Sequence, residues 1–445
     1  MKKSIDKGMI KHFDKFSRSD QITNAARNAS FRNDLQEISM DWEHFRQIDH
    51  NFSNIVSGEM PTTNQKSSGR CWGFAGLNLF RIYLGRKHNL KDFQFSQSYF
   101  MFWDKLEKSN YFLESIIKTA DKHWNSRIVM YLLDAPIQDG GQWDMWVNLV
   151  KKYGVVPQSE MPESFSSSRS MRMNRMITRK LRENAIILRG LKNNEASLDD
   201  INNEKNQMLE QIYKMLVIHL GNPPNSFDWQ TRDKKKNFLR FENLDPNSFY
   251  NDHIGLKLDD YICLINCPMS DKKYNKVYTV DYLGNVIEGN NIRYLNVESE
   301  EMKRATINSL KDDQPVWFGC DVSKHFHRDL GVMDIDLFDY DSFYNLKFGM
   351  DKASRLEYGD SQMTHAMLFT GVDIDKNKPT KWRVENSWGN KSGDKGYFLM
   401  SDEWFDEYNY EVVVDKKYLT KDILKLFKQK PISLNPWDPM GALAK

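Results

Sequence analysis

The chain has 445 residues, of which 40% are hydrophobic and 13% aromatic, with twelve tryptophans. That is enough apolar material for two or three domains or one large elaborated fold, and it excludes intrinsic disorder. The formal net charge of +2 supplies no bulk field for nucleic acid or membrane, so any such partner would have to show in local clusters.

In chain order, the opening MKKSIDKGMIKHF carries lysines with no apolar run behind them. No secretory leader is expected there, and no stretch approaches the ~20 apolar residues of a membrane span. Residues 1 to about 60 are polar and helix-prone and read as an N-terminal arm. In NQKSSGRCWGFAGLNLFRIYL, Phe74, Leu77, Phe80 and Leu84 recur at helical spacing and place Cys71 in the first turn of a helix. The helical pattern runs to about Lys108, with a turn near Asn89. A loop at Asp139, Gly140 and Gly141 leads to a short helix closed by Gly154 and a loop between Pro157 and Pro162.

Residues 165 to 220 read as two helices joined near Asn193 and Asn194, the second started by Ser197 and Asp200. They look like an insertion spanning about 165–225. On the first helix Arg169, Arg172, Arg175, Arg179 and Arg182 form a basic stripe, with Met173, Met176, Ile177 and Leu181 opposite. A solvated or salt-bridged face is the expected reading. Nucleic acid is not the expected partner, because no aromatic residues interleave with the stripe. Lys234, Lys235 and Lys236 read as a loop. From about residue 255 the pattern turns to strands, in YICLINCPM, KVYTVDYLGNVI, PVWFGCDV, THAMLFTGVDID, TKWRVENSWG and YEVVVDK. A helical first half and a strand-rich second half predict an α+β fold with two lobes. The ending PISLNPWDPMGALAK holds three prolines and is expected to be neither helix nor interior strand, yet it carries Trp437, Met440 and Leu443.

Four cysteines without regular spacing make no disulfide framework. Cys263 and Cys267 lack the second pair or nearby histidine of a zinc site and read as buried free thiols. No metal and no cofactor are expected, and the setting is expected to be reducing and cytoplasmic.

A cysteine at a helix N-terminus is a small hydrophobe or a nucleophile. A nucleophile needs a lowered pKa, which the helix end, the neighbouring Arg70 and an imidazole could supply. His365, opening an apolar run, is the candidate base. Asn386, ahead of Ser387-Trp388-Gly389, could orient the imidazole while Trp388 shields the bond, and Gln65 could donate to a developing oxyanion beside the Cys71 amide.

Taken together, Gln65 and Cys71-Trp72, then Met363-Thr364-His365-Ala366, then Asn386-Ser387-Trp388-Gly389 resemble the papain-like cysteine peptidases. There the histidine follows the cysteine by about 130–150 residues. Here it follows by about 300, a surplus that helical insertions would absorb. NQKSSGRCWGFAGLN, DGGQWDM, KYGVVP, PVWFGCDV, MTHAM, VENSWG and PWDPMGALAK narrow the resemblance to the bleomycin hydrolase and aminopeptidase C branch.

That resemblance implies a papain-like two-lobed catalytic domain over about 61–430. Cys71 is then the nucleophile, His365 the base and later acid, Asn386 its orienting group, and Gln65 part of the oxyanion hole. Gly140 and Gly141 line the cleft. A C-terminal arm, 431–445, reaches the cleft, where Ala444 and Lys445 limit the substrate and a terminal carboxylate pairs with its ammonium. Lys445 looks like a residue that is removed. The implied activity is a cytoplasmic aminopeptidase acting on short peptides, assembled as a homohexamer. An endopeptidase of the same family is the alternative. Further away stand a Cys–His acyltransferase and a basic nucleic-acid-binding or interaction protein.

Overall fold

The computed structural model describes residues 4–444, so the expectation placed on Lys445 lies outside the described residues. Helices dominate the first half, as the periodicity predicts. The opening segment forms α1 (Lys7–Ser19) and α2 (Gln21–Ser30), each started by an aspartate cap, Asp6 and Asp20. Neither buries a residue: α1 exposes Ile10, Phe13 and Phe16, and α2 exposes Ile22.

The central helix, α3 (Cys71–Lys87), is buried almost all round. Against it pack α4 (Gln97–Lys118) and α6 (Trp143–Tyr153), and α5 (Arg127–Asp134) packs on α4. Gly76 makes that closeness possible: a Cβ there would stand 2.3 Å from the Trp146 ring. Two long helices, α7 (Met171–Asn193) and α8 (Leu198–Leu220), lie against α4. Ser197 caps α8 through the Asp200 amide as the sequence predicts. Met173, Ile177 and Leu181 are buried, but Met176, assigned to the same apolar side, is exposed. It falls on the edge of the stripe, where α7 has turned from its neighbours.

The second half forms a twelve-stranded sheet. Its main strands are β1 (Tyr261–Ile265), β2 (Lys276–Val280), β3 (Tyr294–Asn296), β4 (Val316–Cys320) and β5 (His365–Asp375). They continue with β6 (Lys378–Glu385), β7 (Tyr397–Ser401), β8 (Asn409–Asp415) and β9 (Ile432–Leu434). The spatial order is β9-β2-β3-β1-β8-β4-β5-β6-β7, extended by two short strands, with Asn54–Ile55 paired along β5. Each face of this sheet buries its own core. One meets the helices through Trp72, Trp146, Tyr294 and Trp317; the other holds Phe318, Phe369, Trp382 and Phe405. Aromatic side chains of this size each remove ~150–250 Å² from water, which makes them the chief cement of both cores.

Two elements differ from expectation. Phe227–Arg232 and Phe238–Leu244 form a hairpin whose turn is the Lys234–Lys236 run. The C-terminal segment supplies the edge strand β9 and then a 3-10 helix, Pro439–Ala444, where no helix is predicted. Proline is tolerated in a first turn, the Asp438 carboxylate accepts the Met440 amide at 2.9 Å, and burying Met440 and Leu443 holds the turn in place.

Candidate active site

Cys71 is the first residue of α3, behind an Arg70 cap that makes no side-chain hydrogen bond to the helix end. The uncapped amides are therefore free, and those of Cys71, Trp72 and Ala366 point at the thiol. Ala366 follows His365 on β5, so the helix end and the strand end meet at the sulfur. Cys71 and His365 are each 4% exposed. Burial pushes the Cys71 thiol up to about 11, against the pull of those amides. Burial likewise pushes the His365 imidazole down to about 4, opposed by its bond to Asn386 and reinforced by Arg328. Each group alone is thus held neutral. Charge is favoured only where a proton passes between them, because the two new charges then stabilise each other.

Nε2 of His365 and Oδ1 of Asn386 are 2.9 Å apart. The same oxygen accepts the Ser387 amide at 2.7 Å, which fixes the asparagine as an acceptor toward the ring. Trp388 covers the imidazole, ring centroids 4.8 Å apart. The turn that carries Asn386 is stitched to the chain ahead of Cys71: Gln65 donates its amide to Ser387 O at 2.8 Å, and Gly389 donates to Thr63 O. Gly389 has φ +81°, and a Cβ there would strike the Asn64 side chain at 2.6 Å, so the motif's glycine is a steric requirement. Gln65 is buried; one amide hydrogen goes to Ser68 O at 2.7 Å, and its oxygen accepts the Ser387 hydroxyl. Cys71, His365, Asn386 and Gln65 are therefore brought together.

Arg70 behaves otherwise than expected. It forms a two-point pair with Glu163, at 2.9 and 2.8 Å, so its charge is balanced away from the thiol. Gly140 lines an open surface hollow of about 520 Å³ with Gly69, Asp139, Asn174 and Arg175, and neither Cys71 nor His365 is among its lining residues. Gly141 lies beneath Trp72, whose ring takes the space of its missing side chain. Ala444 ends the described chain, three residues beyond a Gly441 that packs on Leu283 and Val280.

Asp139, read only as a loop residue, organises this wall. Its carboxylate takes Lys105 and Asn174 at 2.7 Å, the Ser170 hydroxyl, and the Gly69 amide at 3.1 Å. Its carbonyl accepts Trp72 Nε1. The opposing charges hold its carboxyl well below the usual range despite burial. Asp321 plays a similar part ahead of His365, receiving Ser361 and Thr364. No spacing in the sequence marks either.

Arg172, Arg175, Arg179 and Arg182 are exposed along α7, whereas Arg169, expected on the same face, precedes the helix as the cap of a short turn, Phe165–Ser168. Arg182 donates to the Leu133 and Asp134 carbonyls at the end of α5, and Arg169 lies over Phe165. Among the described residues no helix is long and apolar enough to cross a membrane.

The profile of the Peptidase C1-like family matches residues 4–441. An aminopeptidase C from Listeria innocua is 50% identical over 393 residues, 88% of each chain. Human bleomycin hydrolase is 44% identical over 429 residues, 94% of each chain. The crystal structure of PepW from Lactobacillus rhamnosis superposes with a TM-score of 0.97 at 45% identity, covering 99% of this chain and all of that one. The fold is that of a papain-like cysteine peptidase. The chain belongs to the Peptidase C1-like family.

Proposed function

We propose that the protein is a cysteine aminopeptidase that removes residues from the free N-terminus of short peptides. The observation that carries this reading is the C-terminal arm. Asp438 pairs with the buried Lys272 at 2.8 Å, Trp437 stacks under Arg127, and Met440 and Leu443 enter the same core as Cys71. An arm anchored in this way would limit the substrate ahead of the scissile bond, and a carboxylate at its end would favour a free ammonium over a blocked amine.

In this mechanism His365 takes the Cys71 proton, and the thiolate attacks the peptide carbonyl. The oxyanion is met by the Cys71 amide and the second amide hydrogen of Gln65. Asn386 holds the imidazolium by its Nε2–H. The imidazolium then protonates the leaving amine, and water activated by His365 releases the acyl group. Gly140 forms part of the cleft wall.

A homohexamer around an inner chamber, in a reducing cytoplasm, completes the reading. What supports it is the apolar exposure of α1 and α2 and the four free, buried thiols; sedimentation velocity of the full chain tests the assembly. The activity is tested with one aminoacyl fluorogenic amide, its amine free or acetylated, under reducing conditions, with Cys71→Ser alongside. Cleavage of the free-amine substrate alone, lost in Cys71→Ser, is the expected result. Equal or faster cleavage of the acetylated one would instead make the protein an endopeptidase.

A further inference from the structure

Where the sheet wall reaches the surface, a cation stands beside the catalytic imidazole. His365 and Asn386 are buried, Trp388 is partly exposed, and Arg328 is exposed. The Arg328 guanidinium lies over the Trp388 ring, with Cζ 4.6 Å from the ring centroid. The same ring covers His365, centroids 4.8 Å apart. Among the described residues Arg328 makes no ion pair and no side-chain hydrogen bond, not even with Asp329, its neighbour in sequence.

The backbone that carries this cation is fixed. It forms the turn between two short strands, Phe326–His327 and Val332–Met333. Gly331 donates its amide to His327 O at 2.9 Å, and Gly393 donates to Asp329 O at 2.9 Å. Gly331 has φ +67°, and a Cβ there would stand 2.5 Å from Gly393 Cα. The turn is thus pressed against the chain just beyond Asn386 and Trp388. Phe326 also packs on Trp388, centroids 6.0 Å apart.

The chemistry says which part of a substrate comes here. Nε2 of His365 is engaged by Asn386, so Nδ1 is left to take the thiol proton and pass it to the leaving nitrogen. A proton passes at hydrogen-bond distance, ~2.6–3.2 Å. The leaving residue must therefore lie against this imidazole, beside the tryptophan that covers it. Each further residue adds ~3.3–3.6 Å, which brings a carboxylate one or two residues past the scissile bond within reach of Arg328. A guanidinium can offer a carboxylate two parallel N–H donors while its face rests on an aromatic ring. A carboxylate there would also offset the field of Arg328, which opposes the charged form of His365.

We propose that Arg328 receives a carboxylate on the leaving side of the scissile bond and so sets a preference for acidic leaving groups. That carboxylate has two sources, the C-terminus of a di- or tripeptide or an acidic side chain next to the cleaved bond. The proposal rests on the aminopeptidase reading and gives it a substrate class.

The test is kcat/KM for release of the first residue from matched pairs of peptides. Ala-Ala and Ala-Ala-Ala, each against its C-terminal amide, read the terminal carboxylate. Ala-Asp-amide against Ala-Asn-amide reads the side chain. In at least one pair the wild type should prefer the carboxylate by about fivefold at low salt. Added salt should bring that ratio toward one, because an exposed pair is screened. Arg328→Gln should bring the ratio to about one, mainly through KM, and Arg328→Lys, with the charge but not the fork, should keep about twofold. A preference in the first pairs assigns a terminal carboxylate, and one in the last assigns a side chain. The salt titration needs only the wild type, so the test stands even if a variant does not fold. A wild type that cleaves the amides without any carboxylate preference, or a preference that persists in Arg328→Gln, would overturn this proposal and spare the aminopeptidase reading. Equal losses on both members of each pair would overturn it too and leave Arg328 a packing partner of Trp388. A wild type that releases no first residue from any of these peptides would overturn both readings.

Discussion

The two walls that meet at Cys71 treat buried charge in opposite ways. On the helical wall Arg70 faces Glu163, Lys105 faces Asp139 and Lys108 faces Asp104. On the sheet wall Glu411 faces a thiol and another acid. The first arrangement keeps a loop and a helix end in one position. The second favours the neutral, protonated acid, because burial and a neighbouring carboxyl both oppose its charge. A wall that must stay still gains from saturated pairs, and an acid that faces no cation is kept inside in its neutral form.

The largest effect expected from breaking this contrast is on the saturated wall. Asp139→Asn leaves Lys105 buried against a neutral amide and weakens the hold on Gly69, at a cost of about 3–5 kcal/mol. Urea unfolding should show it, together with a drop in peptidase activity.

The sheet wall makes a pH prediction. The Glu411 pKa is raised in the folded state, so its contribution to stability is complete below the ordinary glutamate pKa and is lost as pH rises through about 8. Thermal unfolding should therefore weaken between pH 5 and 9 by on the order of 3 kcal/mol more in the wild type than in Glu411→Gln. Parallel curves would remove the contrast.

A smaller effect is expected for Glu163→Gln. Its carboxylate is 22% exposed, so water partly replaces it, and the loss should be about 1–3 kcal/mol, with kcat reduced as the Cys71 end of α3 loosens. Least of all, Arg182→Ala should cost about 0.5 kcal/mol or less in thermal unfolding, because the carbonyls it serves are exposed and accept water instead.

The candidate site was legible because it is encoded in short runs. Cys71 at a helix start, His365 at a strand start and Asn386 before a tryptophan each announce their local geometry by neighbours in sequence. The Arg70 reading failed for the complementary reason. Its partner, Glu163, is remote in sequence and pairs with it only once the chain has folded, so a charge that looks free is balanced. The hairpin at Phe227–Leu244 was missed because its strands alternate weakly and its turn reads as a charged loop. The 3-10 turn at Pro439 was missed because three prolines argue against helix, whereas an aspartate cap and two buried side chains decide for it.

By itself the sequence determined the helical and strand-rich halves, the nucleophile's place at a helix end, and the chemistry of the residues around it, since these depend on periodicity and on motifs a few residues long. Tertiary structure alone decided which charges cancel, that Gly141 yields its space to Trp72, and that the arm, Tyr294, Gln142 and Glu411 share one corner of the core. The physical reason is that burial and pairing belong to distances in space, and residues such as Gln142 and Glu411 acquire them only when sheet and helices close on each other.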